Sequence, residues 1–393
     1  MGKYISLWPY AAANFLFYAF IGGFISYLAI LLTERGFNSI EIGQVFAIYT
    51  IIRVFTGQLW AHLSDKFHNP LLFFQLGIVF TFLLLLPEFF VESKNLTFLF
   101  VVASLTCFMS VVSQLEVLSL LASNDNPKVY NRVRLFGSVG FIVAAVIVGA
   151  LIDLLGGIFI LYFACVCILI LLLLSVKIQN QYAETTTEVL GTDDFWPRCR
   201  TFGFVSFFIA SILLQMSFAP YVGFFTKYLA EQQYQGVAIG ALFALGTFSE
   251  VFMFMFAGAI LARFNVKFLL SVCLFLTAVR WLTQGYLADI WYVMVITQCI
   301  HAFSFGLIHS TSIYFIRQHF SKKQQNRGQF MYLGVTFGVG GAIGAWLTGI
   351  TWQEGAGSTQ TFLWAATCSF IAALIIVITP RNNFQYSPRS ETL

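Results

Sequence analysis

The sequence predicts an all-α membrane protein in which twelve transmembrane helices form two six-helix bundles. The composition is the first observation behind this prediction: 59% of the residues are hydrophobic and 10% are charged, whereas soluble chains carry roughly 25% charged residues. The second is a series of apolar runs, each about 20 residues long, the length that crosses a bilayer. The third is an internal repeat that relates the two halves of the chain.

The apolar runs give the positions of the predicted helices. They cover residues 4–33, 40–62, 71–92, 96–122, 131–154, 156–178, 201–229, 236–262, 267–287, 291–317, 326–350 and 358–380. The first run is too long for a signal peptide and lacks a cleavage site, so it is expected to remain as a span. The polar stretch from Gln179 to Arg198 separates the sixth run from the seventh. The predicted organisation is a first bundle (1–178), a cytoplasmic linker (179–200), a second bundle (201–380) and a cytoplasmic tail (381–393).

The basic residues predict the orientation of the chain. One set of loops carries most of them: Lys66, Lys128, Arg132, Arg134, Lys177, Arg198, Arg200, Arg263, Lys267, Arg317, Lys322, Lys323 and Arg327. The opposite loops carry only Arg35, Lys94 and Lys227. Because Lys and Arg accumulate in cytoplasmic loops, we expect a multi-pass protein of the cell inner membrane with both termini in the cytoplasm.

Composition also argues against several other classes of protein. The 7 cysteines are scattered, mostly within apolar runs, so no disulfide framework or metal site is predicted. The net charge of +4 does not indicate a nucleic-acid partner, because the basic residues lie between apolar spans. A membrane-embedded enzyme or sensor is disfavoured, because the longest polar stretch holds no nucleophile and base.

The internal repeat indicates a duplicated bundle. A shift of 197 residues places Glu34 on Glu231 and Gly43 on Gly240, and a shift of 195 relates the later spans. Parallel repeats of six spans build transporters whose substrate site lies between the bundles near mid-membrane.

Ionisable residues within the spans are the candidates for such a site. They are Arg53, Glu116, Arg134, Glu250, Arg280, His301 and His309. Charge at membrane depth is costly, and where it persists it usually faces a protein interior or a wet cavity on an ion or substrate path. Histidine also exchanges its proton near neutral pH.

Hairpin geometry predicts which of these residues meet. Glu116 and Arg134 are equidistant from the turn between the fourth and fifth spans, and Glu250 and Arg280 from the turn between the eighth and ninth. Each pair therefore shares a depth on adjacent helices. A purely structural ion pair that holds two helices together would also explain each of these pairs. Buried ion pairs, however, stabilise a protein poorly compared with apolar packing.

A polar layer across both halves is the further expectation. His301 is level with Arg280 on the neighbouring helix, and the repeat sets Arg53 opposite Glu250 at matching depth. His301 and His309 lie ~12 Å apart along one helix, within a quadrant of one face. A structural role is the alternative for either histidine.

The loop after the second span resembles the signature loop of the major facilitator superfamily. It reads Ala61-His-Leu-Ser-Asp-Lys-Phe67, and its repeat runs from Gly258 to Lys267. The resemblance implies the major facilitator fold and a conformational-switch loop with Asp65, Lys66 and Arg263. The repeat has Ala262 where the superfamily has an acid.

The fifth span, Asn131-Arg-Val-Arg134-Leu-Phe-Gly-Ser-Val-Gly-Phe141, resembles that of lactose permease-like proton symporters. The resemblance implies that Glu116 and Arg134 bind substrate and that Phe141 packs against it. It also implies that Glu250, Arg280 and His301 serve proton coupling. Those permeases have an acid where this chain has Ser304.

The resemblance to 3-phenylpropionate permeases is closer and covers nearly the whole chain. It rests on Arg53, the stretch around Glu250, Val279-Arg280-Trp281 and the paired histidines His301 and His309. A deep Arg53 suits a carboxylate substrate, because a guanidinium holds both oxygens. Aromatic walls are expected from Tyr18, Tyr27, Phe141 and Trp281.

The predicted function is proton-coupled symport of a small aromatic carboxylate by alternating access. Substrate is expected near Arg53, Glu116 and Arg134, and Glu250 is expected to take the proton, tuned by Arg280 and His301. The proton is the coupling ion, and no cofactor is expected. The Glu116–Arg134 pair favours an oligosaccharide or nucleoside instead, and an uncoupled uniporter is a further alternative. The resemblance implies a monomer.

Overall fold

The computed structural model describes residues 6–124, 126–180 and 195–384. Twelve helices in these ranges are long and apolar enough to cross a membrane, which confirms the predicted all-α fold. We number them span 1 to span 12 in chain order: Trp8–Ile25, Ser39–Lys66, Pro70–Phe89, Lys94–Ala122, Pro127–Leu155, Ile158–Ser175, Phe202–Glu231, Gly236–Arg263, Val266–Tyr286, Trp291–His319, Gln325–Gly355 and Ser358–Ile378. Most of the predicted linker 179–200 and the end of the tail 381–393 lie outside the described residues.

Polar caps explain where several spans begin. Asn38 accepts a hydrogen bond from the backbone of Glu41, and Glu41 accepts one from the backbone of Asn38, both at 2.8 Å. This capping box satisfies two of the amide groups that a helix start leaves without partners. Asn69, Asn126 and Asn265 cap spans 3, 5 and 9 in the same manner.

The two halves repeat one another in structure as well as in sequence. Span 2 and span 8 are each 28 residues long, and they begin at Ser39 and Gly236, the predicted shift of 197. Spans 1 and 7 each contain a π-helical turn, Ile21–Ile25 and Pro220–Phe224, at matching positions.

The halves pack along two seams, span 2 against span 11 and span 5 against span 8. Glycine permits the close approach at one end of each seam. A Cβ on Gly43 would lie 2.6 Å from the Cα of Gly349, and one on Gly236 would lie 2.0 Å from the carbonyl oxygen of Gly149. We call this the acidic end, because Asp153 and other acidic residues lie there. The end that carries Lys66, Arg263 and most other basic residues is the basic end.

The seams loosen toward the basic end. Gly57 and Gly258 lie in the same two helices as Gly43 and Gly240, yet a Cβ on either would meet nothing within 4 Å. A Cβ on Gly240, by contrast, would lie 2.4 Å from the carbonyl oxygen of Ala145. The closest approaches between the halves therefore lie at the acidic end, and neither Gly57 nor Gly258 makes such a contact toward the basic end.

Hydrogen bonds between the halves reinforce the closed end. The backbone nitrogen of Ser39, at the start of span 2, donates to Glu354 at 2.8 Å. The backbone nitrogen of Gly236, at the start of span 8, donates to Asp153 at 2.7 Å. Each half thus supplies a carboxylate to a helix N-terminus of the other half, where negative charge is favoured.

Candidate functional site

The first half contributes an ion pair inside the membrane. Arg134 lies 3.2 Å from Glu116, as their equal depth predicted, and both side chains remain about two-fifths exposed, at 38% and 43%. Arg134 also donates a hydrogen bond to the hydroxyl of Tyr18. Because these groups are accessible in an open bundle, a ligand can reach them.

The second half contributes a histidine between an arginine and a glutamate. Arg280 Nη1 lies 2.9 Å from His301 Nδ1, and Glu250 Oε2 lies 3.7 Å from His301 Nε2. Arg280 and Glu250 share a depth, as predicted, but they meet through the imidazole ring. Among the described residues no direct ion pair joins the two.

Aromatic rings and an amide fix the arginine of this group. Arg280 is fully buried, with its guanidinium carbon 4.3 Å from the ring centre of Tyr221 and 4.5 Å from that of Trp281. Gln298 Oε1 accepts from Arg280 at 3.3 Å and from the Tyr221 hydroxyl at 3.0 Å. Cation–π contacts of this kind are favourable when desolvated, so the arginine is held without an acid beside it.

The two groups lie on helices that pack against one another, with Arg134 on span 5 and Glu250 on span 8. The rings of Phe141 and Phe243 contact one another across the seam between these two spans, with centroids 5.6 Å apart. We refer to the following residues as the central polar cluster: Tyr18, Glu116, Arg134, Tyr221, Glu250, Arg280, Gln298 and His301.

His309 lies next to this cluster and on the same helix as His301. Span 10 is π-helical from Ala302 to Leu307, and Phe305 stacks between the two imidazoles, with centroids 5.7 and 5.9 Å away. The predicted common face is therefore observed. His309 Nδ1 is buried without a hydrogen-bond partner among the described residues.

Among the described residues, no hydrogen bond or ion pair links Arg53 to the central polar cluster. Its guanidinium lies 6.0 Å from the ring centre of Tyr49 on its own helix. Nearby, span 2 packs against span 11, where a Cβ on Gly338 would meet Val54. The expected place of Arg53 in a polar layer opposite Glu250 therefore stays a prediction.

Of the four aromatic residues expected to line the substrate site, two are instead buried in the protein core. Tyr27 and Trp281 are fully buried. Tyr27 donates to a backbone oxygen in span 5, and Trp281 donates to Ser217. Tyr18 and Phe141 are only partly buried, so they alone among the four can line a cavity.

The predicted switch residues lie at the basic end. Asp65 and Lys66 are exposed at the end of span 2, and Arg263 is exposed at the end of span 8. This exposure agrees with the separation of the halves at that end.

Three residues of the site were missed from sequence: Tyr221, Phe243 and Gln298. None carries a charge, so the search for ionisable residues within spans passed over them. Gln298 had one available signal, its place one turn before His301 on the same helix.

Two repeated halves that close together at one end, around polar groups at mid-membrane, define a secondary transporter rather than an enzyme. A family model described as "MFS_1 like family" matches residues 7–364 of the chain. The chain therefore belongs to this family of the major facilitator superfamily.

Two relatives share about a quarter of their aligned residues with this chain. A maltose permease of Geobacillus stearothermophilus is 23% identical over 382 residues, which cover 92% of this chain and 91% of that protein. A probable 3-phenylpropionic acid transporter of Escherichia coli (strain K12) is 25% identical over 249 residues, 63% of this chain and 65% of that protein.

Solved structures share the fold. The nucleoside transporter NupG superimposes with a TM-score of 0.83 at 17% identity, covering 97% of this chain and 99% of that one. A peptide transporter, POT, in complex with alafosfalin gives a TM-score of 0.78 at 10% identity, covering 95% and 94%.

Proposed function

We propose that the chain is a proton-coupled symporter that moves a small aromatic carboxylate, such as a phenylpropionate, across the cell inner membrane by alternating access. The observation that carries the proposal is the position of Arg134, which pairs with accessible Glu116 and lies on span 5, the helix that packs against span 8 and its Glu250. The ligand-accessible pair and the candidate proton site thus lie on neighbouring helices.

Substrate binding is assigned to the open side of the cluster. The guanidinium of Arg134 holds a carboxylate, displacing or sharing its contact with Glu116, since a guanidinium binds both oxygens of a planar anion. Tyr18 lies beside the arginine, and Phe141 lies two turns further along span 5, so both can supply aromatic faces for a phenyl ring. The likeness to a probable 3-phenylpropionic acid transporter supports this substrate class.

Coupling is assigned to the Glu250–His301 pair with Arg280 behind it. While the acidic end is open, with the hydrogen bonds of Asp153 and Glu354 broken, a substrate anion binds Arg134 and neutralises its charge, which favours a proton on Glu250. The acidic end then closes, and the basic end opens and releases both. The proton is the coupling ion, and the basic end, with both chain termini, faces the cytoplasm. The units that rock are residues 1–178 and 201–380, within one monomer.

A second substrate class is favoured by the intact Glu116–Arg134 pair. An acid and an arginine held 3.2 Å apart present an acceptor and donors to neighbouring hydroxyl groups, as a sugar or nucleoside requires. The likeness to a maltose permease agrees with that class.

A thermal-shift screen of the purified protein tests the substrate assignment. The compounds are 3-phenylpropionate, its amide, maltose and uridine, each at matched concentration. We expect the acid to raise the melting temperature and the amide to raise it little, because the amide lacks the charge that Arg134 binds. A shift with maltose or uridine and none with the acid would replace the aromatic carboxylate by the second class.

A further inference from the structure

Both ring nitrogens of His301 face charged groups of opposite sign. Nδ1 lies 2.9 Å from a guanidinium nitrogen of Arg280, and Nε2 lies 3.7 Å from a carboxylate oxygen of Glu250. A guanidinium has only N–H donors and no acceptor. The nitrogen that faces Arg280 must therefore accept a hydrogen bond with its lone pair, and it carries no hydrogen.

The same conclusion holds if the ring is turned over. Whichever nitrogen faces Arg280 has to be bare, and the other, which faces Glu250, has to carry the hydrogen of the neutral ring. A proton on the bare nitrogen would remove its lone pair and set two cations in direct contact. Arg280 cannot move aside, because Tyr221 and Trp281 lie close to its guanidinium and Gln298 accepts from it.

The groups around Glu250 complete the arrangement. Spans 5, 7, 9 and 10 face it or His301 with Arg134, Tyr221, Arg280 and His301 itself. Tyr18 of span 1 also interacts electrostatically with Glu250. Glu250 is the carboxylate among these residues, so its oxygens can accept a proton. In the described part of the chain its side chain is still 21% exposed, which leaves it accessible to a proton donor.

We propose that His301 stays neutral throughout transport and positions Glu250 through its Nε2–H group, while Glu250 alone binds the coupled proton. This inference rests on the proposed proton symport and assigns the proton within it. In the step, a hydronium ion that enters while the acidic end is open gives up one proton: an O–H bond of the hydronium breaks, an O–H bond forms on the Glu250 carboxylate, and water leaves. No bond to hydrogen forms or breaks on His301. His301 is thus a positioning residue.

Histidine nitrogen NMR on the full-length protein tests the tautomer directly and does not require transport. The protein has 5 histidines, so the His301 signals are assigned by their loss in His301→Gln. We expect one bare and one protonated nitrogen from about pH 5 to pH 8, the range in which an ordinary histidine titrates. Protonation of both nitrogens within this range would overturn the proposal.

A transport experiment tests the same assignment by function. Wild type, His301→Gln and Glu250→Gln are reconstituted in vesicles that enclose a pH-sensitive dye, and proton entry is measured on addition of 3-phenylpropionate. Gln keeps an N–H donor near the position of Nε2 but cannot titrate. We expect His301→Gln to slow substrate entry and proton entry together, so that the number of protons per substrate stays as in wild type, and Glu250→Gln to exchange substrate without proton entry.

Failure of the proton assignment to Glu250 and failure of proton symport would give different results. Substrate exchange without proton entry in His301→Gln, with proton entry retained in Glu250→Gln, would overturn the assignment while leaving symport intact. Absence of substrate-linked proton entry in the wild type would reject the proposed symport, and the NMR result would then decide the state of His301 on its own.

Discussion

Asp153 Oδ2 lies 2.7 Å from the backbone nitrogen of Gly236, so a carboxylate from the first half caps a helix of the second. Glu354 makes the reciprocal contact with Ser39 at 2.8 Å. The two capped residues, Ser39 and Gly236, are related by the shift of 197, and both contacts lie at the closed end of a seam. Alternating access requires that both break in each cycle.

Replacing Asp153 by Ala should shift the protein toward opening at the acidic end. Loss of an N-cap costs about 1 kcal/mol, which corresponds to a roughly fivefold change in the ratio of closed to open molecules. The measurement is the distribution of distances between spin labels at Glu92 and Asp289, which are exposed in acidic-end loops of the two halves.

Glu34→Ala is the matched control for that experiment. Glu34 accepts from the backbone of Gly157 at 2.9 Å, but both residues belong to the first half. Its loss should therefore leave the distances between the halves unchanged. Equal distributions for Asp153→Ala and Glu34→Ala would show that the cross-half cap does not hold the closed end.

Gly240→Ala should impair transport, because the added methyl group collides with the backbone of Ala145. Overpacking of this kind costs about 1–3 kcal/mol, so we expect a rate of substrate exchange that is lower by at least about fivefold. Gly258→Ala, in the same helix, adds a methyl group to open space and should keep the wild-type rate. Equal rates would argue against close packing of the seam during the cycle.

Arg134→Lys should weaken binding of the substrate acid about tenfold or more, since lysine replaces a two-point contact with a single one. The neighbouring Arg132 is exposed, so Arg132→Lys is the control and should bind as wild type does. Calorimetric titration with 3-phenylpropionate gives both dissociation constants. An unchanged affinity in Arg134→Lys would remove this residue from the substrate site.

Arg53→Ala should bind the same acid within about threefold of wild type, because Arg53 lies outside the central polar cluster. The sequence alone favoured Arg53 as the carboxylate clamp, so this titration separates the two arginines. Loss of acid binding in Arg53→Ala, with binding retained in Arg134→Lys, would show that Arg53 on span 2, and not Arg134, binds the substrate carboxylate.

The residues that sequence reasoning placed correctly share a physical cause. Glu116 and Arg134 lie on antiparallel neighbours joined by a short turn, so counting from the turn gives their common depth. The same counting placed His301 level with Arg280. It does not give the rotation of each helix about its axis, so the expected position of Arg53 opposite Glu250 stays a prediction.

Most of the site features that the sequence did not predict involve uncharged side chains or irregular turns within helices. Tyr221 and Gln298 hold Arg280, yet in an apolar chain with 18% aromatic residues a single tyrosine carries little signal. The π-helical turn at Pro220–Phe224 directs Tyr221 inward, and α-helical periodicity does not predict such turns. The twelve spans, by contrast, follow from composition and length alone.

Substrate uptake by Glu250→Gln in reconstituted vesicles is the measurement that tests the central claim most directly. Wild-type vesicles with an acidic exterior should accumulate 3-phenylpropionate, and collapse of the pH gradient should abolish the accumulation. Glu250→Gln should equilibrate the acid across the membrane without accumulating it. Accumulation by Glu250→Gln at the wild-type level, or accumulation by wild type that survives collapse of the gradient, would contradict proton coupling through this residue.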